Sequence, residues 1–211
     1  MTDHETDAPQ TGLSTDDGED AARGRGPRRA PKRVTAERLH NKALWYLERY
    51  ASSTDNLRQV LTRWAVRSAR HYGDDETKMA EMIEAELERL ARVNLLDDRA
   101  YAETRVRALA RSGASRRKIF LKLKEKGVAS ETVEDALASL EEETDGDPER
   151  AAAIKLARKR RLGPWRTDPE TRADKRERDM AALARAGFGF DLIREIIDAE
   201  SSDDLEACRL P

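Results

Sequence analysis

From about residue 35 to residue 198, apolar side chains recur every three or four positions and nowhere alternate convincingly with period two. Met79, Ile83, Leu87 and Leu90 fall on one stripe of a 3.6-residue helix, while Glu81, Glu84, Glu88 and Arg89 face elsewhere. Leu57, Val60, Leu61 and Trp64 repeat this spacing, as do Val133, Ala136, Leu137 and Leu140. The pattern predicts an all-α protein without a sheet. Punctuation agrees with it. Asp147-Pro148 and Asp168-Pro169 each pair an N-cap carboxylate with a proline at the first helical position, where its missing N–H costs nothing. Gly127 and Gly187 follow helical patterns and precede Val128 and Phe188, as expected of glycine in the left-handed position beyond a helix. Gly187-Phe188-Gly189-Phe190 reads as a helix-to-helix turn with its aromatics tucked beneath it.

The same two glycines expose a repeat. Ile119, Leu123, Gly127, Val133 and Leu137 match Asp179, Leu183, Gly187, Ile193 and Ile197 at a constant offset of 60. An earlier, more divergent copy runs through Leu57, Leu61, Ala65, Ile83 and Leu87, with 12 extra residues between its second and third helices. Each copy follows another amphipathic segment: Ala43 to Tyr50, Asp98 to Arg111, and Pro148 to Arg161. The expected organisation is three three-helix repeats, at 35–96, 97–146 and 147–200, stacked into an elongated curved array. A tail expected to be disordered precedes them at 1–34, and an acidic C-terminal tail follows at 201–211. A unit of this size buries too little to stand alone, so neighbours must pack end to end.

Composition explains the thin cores. Charged residues make up 39% of the 211-residue chain, AVILMFWYC 38% and aromatics 5%, against about 25% charged in an average domain. Residues 1 to 20 hold seven acids and no Lys or Arg, and Arg23 to Arg33 place six cations among glycines and prolines. This basic arm is either a solubilising tail or a segment that steers toward nucleic acid. The single cysteine, Cys208, excludes an intramolecular disulfide and fits a reducing compartment. No apolar run nears the roughly 18 residues of a membrane span, so a soluble cytoplasmic protein is expected. His4, His40 and His71 are scattered without metal or triad spacing, and there is no phosphate-loop motif. Asp97-Asp98 reads as a helix cap rather than a metal site. No catalytic residue and no cofactor is expected.

What remains is segregated charge in a chain whose net charge is only -2. Residues 105 to 126 hold nine cations against Glu125 alone, residues 150 to 166 hold seven and no acid, and residues 131 to 149 hold nine acids and no cation. Stacked repeats would align the cations of the first and second helices along one side, a surface suited to a polyanion or an acidic protein groove. The partner-binding residues expected on this basis are Arg111, Arg116, Arg117, Lys118, Lys122, Lys124, Lys126, Arg158, Lys159, Arg160 and Arg161. Lys118 and Lys122 share a helical face away from Ile119 and Leu123. Aromatics do not interleave with these cations, apart from Trp165 near Arg166, so single-strand reading by base stacking is less supported.

The run Leu95-Leu96-Asp97-Asp98-Arg99-Ala100-Tyr101-Ala102, with Ser115 to Ile119 and Leu123 to Val128, resembles the central signature of RecX regulatory proteins. Ala43 to Leu47 with Ser53 and Leu57-Arg58, and Arg185 to Phe188 with Ile193 and Ile197, resemble that family's first and last modules. The resemblance covers about residues 38 to 198. It implies a monomeric, non-catalytic cytoplasmic protein of bacteria that binds the RecA recombinase. Such a protein lodges in the groove of the RecA–DNA filament and curbs its growth, strand exchange, ATP hydrolysis and coprotease activity, modulating recombination and the SOS response. The alternative is a helical module that contacts DNA phosphates directly. The first module departs from the pattern: Trp64-Ala65 replaces its glycine, the insertion starts at Val66, and Asn94 stands where a glycine is usual.

Overall fold

A computed structural model describes residues 31–207, and within them every regular element is a helix, with no strand. Helices α1 (Ala36–Leu47), α2 (Thr54–Tyr72) and α3 (Glu76–Arg92) come first. They are followed by α4 (Asp98–Arg111), α5 (Arg116–Glu125) and α6 (Ser130–Glu143). Helices α7 (Pro148–Arg160), α8 (Arg172–Ala186), α9 (Phe190–Asp198) and the short α10 (Ser202–Ala207) complete the chain, with two 3-10 turns between α7 and α8.

Each set of three helices closes its own apolar cluster, because each helix has one narrow apolar stripe that only two neighbours can cover. Leu39, Leu57, Leu61, Ile83, Leu87 and Leu90 form the first, with Leu96. Ala102, Val106, Ile119, Leu123, Val128, Val133 and Leu137 form the second. Ala153, Ala157, Leu183, Phe188, Ile193, Ile196 and Ile197 form the third. The polar pair between α1 and α3 has His40 Nδ1 2.7 Å from Oε1 of the buried Glu86.

Helix boundaries follow local chemistry. Thr35, Ser53, Asp75, Asp97, Ser115 and Asp147 each accept a first-turn amide with their side chains. Asp168 instead caps the 3-10 turn Pro169–Thr171, and α8 starts only at Arg172, four residues after that cap. Gly127 and Gly187 have φ of 73° and 95°, the left-handed region expected of them. Asn94, standing for the usual glycine, also has a positive φ of 56°, a conformation Asn tolerates better than most side chains.

Several expectations need correction. The extra residues of the first unit form helix rather than loop: α2 runs on through Val66 to Tyr72 and is capped by Gly73 at φ 68°. The missing glycine is thus displaced along the chain. Helix α1 begins at Ala36, seven residues before the segment read as amphipathic. Phe188 is buried at 6% exposure whereas Phe190 is 64% exposed, so only one aromatic is tucked under the turn. At the ends, residues 1–30 and Cys208 lie outside the described residues. Residues 31–34, taken as tail, are strapped to α2 instead. Val34 is buried in the first core, its N–H donates to Ser68 Oγ at 3.2 Å, and Ser68 Oγ donates to the Lys32 carbonyl. Tyr72 Oη donates to the Pro31 carbonyl at 2.7 Å, and Arg33 Nε meets Asp74 at 3.0 Å. Ser202 to Ala207, taken as the start of an acidic tail, forms α10, and its Leu205 joins the third core.

Candidate functional site

The two junctions between consecutive helical triplets are built from the same contacts. Ser53, the cap of α2, accepts from the Asn56 amide and donates its hydroxyl proton to the Lys126 carbonyl at the end of α5. Ser115, the cap of α5, accepts from the Lys118 amide and donates to the Ala186 carbonyl at the end of α8, at 2.6 Å. Both serines are fully buried. The first amide of each capped helix is taken by an acid on the next unit's first helix. Thr54 N–H donates to Asp98 Oδ1 at 2.7 Å, and Arg116 N–H donates to Glu149 Oε2 at 2.6 Å. Burial pushes the Glu149 carboxyl upward, against the Arg116 amide, which favours its charged form. Gly127 and Gly187 sit where these junctions are tightest: a Cβ would stand 2.2 Å from Asp55 Oδ2 at the first and 2.8 Å from Ser115 Oγ at the second. Asp97 caps α4 as read from sequence, but Asp98 joins two units, which sequence spacing within one helix cannot reveal.

This stacking spends some cations and leaves others on the surface. All eleven residues expected to bind a partner are exposed: Arg111, Arg116, Arg117, Lys118, Lys122, Lys124, Lys126, Arg158, Lys159, Arg160 and Arg161. Their roles differ. Arg116 pairs with Glu141, and the neighbouring Arg107 meets Glu143 at 2.7 Å, so the acids of α6 neutralise part of the basic run on α4 and α5. The Glu143 carboxyl is held below its usual range by the Arg107 hydrogen bond. Lys126 Nζ reaches Asn56 Oδ1 at 3.3 Å, across the first junction. Lys155 donates to the Arg111 carbonyl across the second. On α5, Arg117, Lys118, Lys122 and Lys124 form no ion pair among the described residues, and they flank Leu121, itself 57% exposed. Helix α5 therefore offers a solvated basic face with one aliphatic contact at its centre.

The second basic run ends differently. Lys159, Arg160 and Arg161 lie at the C-terminus of α7, where cations complement the negative helix end. Arg160 and Arg161 border a cleft of about 650 Å³. Its other cations, Arg166, Arg178 and Arg185, come from the following loop and from α8, and sequence runs did not bring them together. Asp179 lies at its base, 1% exposed, at the position where the second unit has Ile119. Arg166 grips it with Nε–Oδ2 at 2.7 Å and Nη2–Oδ1 at 2.5 Å, and Gly163 N–H donates to Oδ2 at 2.9 Å. Burial pushes the Asp179 carboxyl up, but these bonds outweigh it and hold the group below the usual carboxylate range. The signal in the sequence was the acid itself, an Asp standing at an apolar repeat position. No group of His, Cys, Asp or Glu suited to a metal occurs among the described residues, and no helix there is long and apolar enough to cross a membrane.

Fold and site together define a helical-repeat protein whose surface chemistry is an exposed cationic face and an arginine cleft. Residues 97–137 match the family model described as RecX, second three-helix domain. The chain is 43% identical over 182 residues to the regulatory protein RecX of Myxococcus xanthus, covering 86% of this chain and 95% of that protein. It is 33% identical over 168 residues to regulatory protein RecX of Agrobacterium fabrum, covering 78% and 85%. The crystal structure of RecX from Lactobacillus salivarius has the same fold, with a TM-score of 0.57, 24% identity and coverage of 82% of this chain and 97% of that one. The chain belongs to the RecX family of regulatory proteins.

Proposed function

We propose that this protein binds the nucleoprotein filament of the RecA recombinase and restrains its growth, ATP hydrolysis, strand exchange and coprotease activity, acting as a cytoplasmic monomer without a catalytic step. Membership of the RecX family directs the reading, and one observation carries it. Arg117, Lys118, Lys122 and Lys124 project from α5 without ion pairs among the described residues. Arg107 and Arg116, by contrast, are engaged by the α6 acids Glu143 and Glu141. A face left unpaired is instead available to an acidic groove or a phosphate track. Arg111, Lys126, Arg158 and Lys159 extend the proposed contact region, with Arg116 positioning α5 rather than meeting the partner.

Binding at physiological salt to bare single-stranded DNA, to the recombinase alone and to the assembled filament tests the proposal. It expects clear preference for the filament. Equal affinity for bare DNA would overturn it in favour of a module that contacts DNA phosphates alone, whose affinity falls steeply with salt.

A further inference from the structure

We infer that the cleft between the end of α7, the loop 161–171 and α8 is a phosphate-binding site, built to hold phosphoryl groups rather than bases. Five arginines line it, Arg160, Arg161, Arg166, Arg178 and Arg185, against two acids, Asp168 and Asp179. Asp179 is ion-paired to Arg166, and Asp168 is engaged as a turn cap, so the five guanidiniums exceed the acidic charge of the cleft. Asp168 caps the turn Pro169–Thr171, accepting from the Glu170 amide at 3.1 Å. Asp179 is held by Arg166 and the Gly163 amide, which fixes the Arg166 guanidinium at the cleft. The side chains of Arg160, Arg161, Arg178 and Arg185 form no ion pair or hydrogen bond among the described residues. Arg178 already interacts electrostatically with Asp179, yet with five arginines against two acids the cleft keeps an excess of positive charge that an anion would relieve. The guanidinium fork matches phosphate oxygens, and several forks around one centre suit a group with more acceptor oxygens than a carboxylate offers.

Backbone geometry supplies an independent indication. Arg161, the C-cap of α7, adopts φ 54° and ψ 51°, the left-handed conformation. The ends of α2 and α8 give that conformation to Gly73 and Gly187, which take it without penalty. An arginine there costs stability relative to glycine, and such strain gathers where a side chain must be presented to a ligand. The loop is also particular to this unit. The second unit joins its first two helices through residues 112–115, whereas here residues 161–171 intervene and form two 3-10 turns along the cleft. No aromatic side chain lines the cleft, and Trp165 packs into the third core instead. Recognition therefore rests on phosphate charge and is indifferent to base identity. The phosphates can belong to a nucleic-acid strand or to a small polyphosphate. The inference does not depend on the recombinase reading.

The test uses the full chain with no recombinase present. Fluorescence anisotropy measures its affinity for a labelled oligothymidylate and for an abasic deoxyribose-phosphate oligomer of equal length, with tripolyphosphate as competitor, at two salt concentrations. Arg161→Gly removes the side chain and relieves the backbone. It should weaken binding about ten- to a hundredfold, the effect of one charge-assisted contact, while the melting temperature stays level or rises. Arg178→Ala with Arg185→Ala should weaken binding further, and each lost strand contact should lower the salt slope by about 0.7. Equal affinity for the two oligomers supports the site. Displacement by tripolyphosphate assigns it to phosphate in either source, and tighter binding of tripolyphosphate than of the strand assigns it to small anions. Absence of binding to every probe, a requirement for bases, unchanged affinity in both cleft variants, or a greater loss from Lys118→Ala with Lys122→Ala would each overturn it. Inhibition of the filament is a separate measurement, and its outcome with the α5 variant does not bear on this cleft.

Discussion

Glycine 127 and glycine 187 carry two constraints at once, and this sets their sensitivity. The sequence shows one of them, the left-handed turn after a helix, through the pattern Leu123-Gly127-Val128 and its counterpart 60 residues on. The other is close approach of the preceding unit, which places Asp55 against Gly127 and Ser115 against Gly187. Gly127→Ala should therefore cost more than the roughly 1 kcal/mol of backbone strain alone. Gly73→Ala is the control, since its positive φ faces open space. Denaturant unfolding of the two variants should separate them, with the larger loss at Gly127; equal losses would mean the junction yields freely. Asp179 gives a second test at this scale. Asp179→Asn leaves Arg166 without its charge partner and should cost about 3 kcal/mol. Replacing both, Asp179→Leu with Arg166→Met, should recover most of that loss, because the second unit fills this position with Ile119. The folded carboxyl lies below its ordinary value of about 4. Its contribution is therefore complete above that pH and fades as pH falls toward the lower folded value. Acid titration of stability between about pH 5 and pH 2 should be shallower in Asp179→Asn than in the wild type.

Among the elements, the stripes that identify α2, α3, α5 and α6 were legible because burial repeats every 3.6 residues, and Leu57, Ile83, Ile119 and Val133 are buried where that period puts them. Less legible were features set by contacts distant in sequence. The strap at 31–34 has the composition of a basic tail, yet it is pinned by Ser68, Tyr72 and Asp74 from the extended end of α2. The inserted residues of the first unit thus lengthen a helix and give the strap its anchor. Leu205 likewise sits in an acidic stretch and is buried only because α7 and α9 leave space for it in the third core. Removal of residues 1–30 should leave the cooperative melt unchanged. Removal of 1–34 should lower stability by about 1 to 3 kcal/mol through loss of Val34. Melting curves of the two truncations decide the matter, and identical curves would show that the strap contributes nothing.

At the scale of the whole molecule, charge segregation proved to be two things. Part of it is internal, with α6 acids answering cations of α4 and α5, and this part holds a unit together. The remainder is outward, on α5 and at the arginine cleft. Sequence could count these charges but not sort them, because pairing depends on which helices are neighbours. The junction serines were equally silent, since nothing in the sequence around Ser53 and Ser115 shows that Lys126 and Ala186, more than 70 positions away, accept their hydroxyl protons. On the proposed function, the outward cations act on a recombinase filament. The most direct measurement is inhibition of DNA-dependent ATP hydrolysis by the cognate recombinase, titrated with the wild type, with Lys118→Glu/Lys122→Glu and with Lys159→Glu/Arg160→Glu at two salt concentrations. Exposed cations contribute about 0 to 1 kcal/mol to stability, so both variants should melt like the wild type yet lose inhibition, most severely at the higher salt. Variants that melt normally and inhibit as strongly as the wild type would contradict the claim.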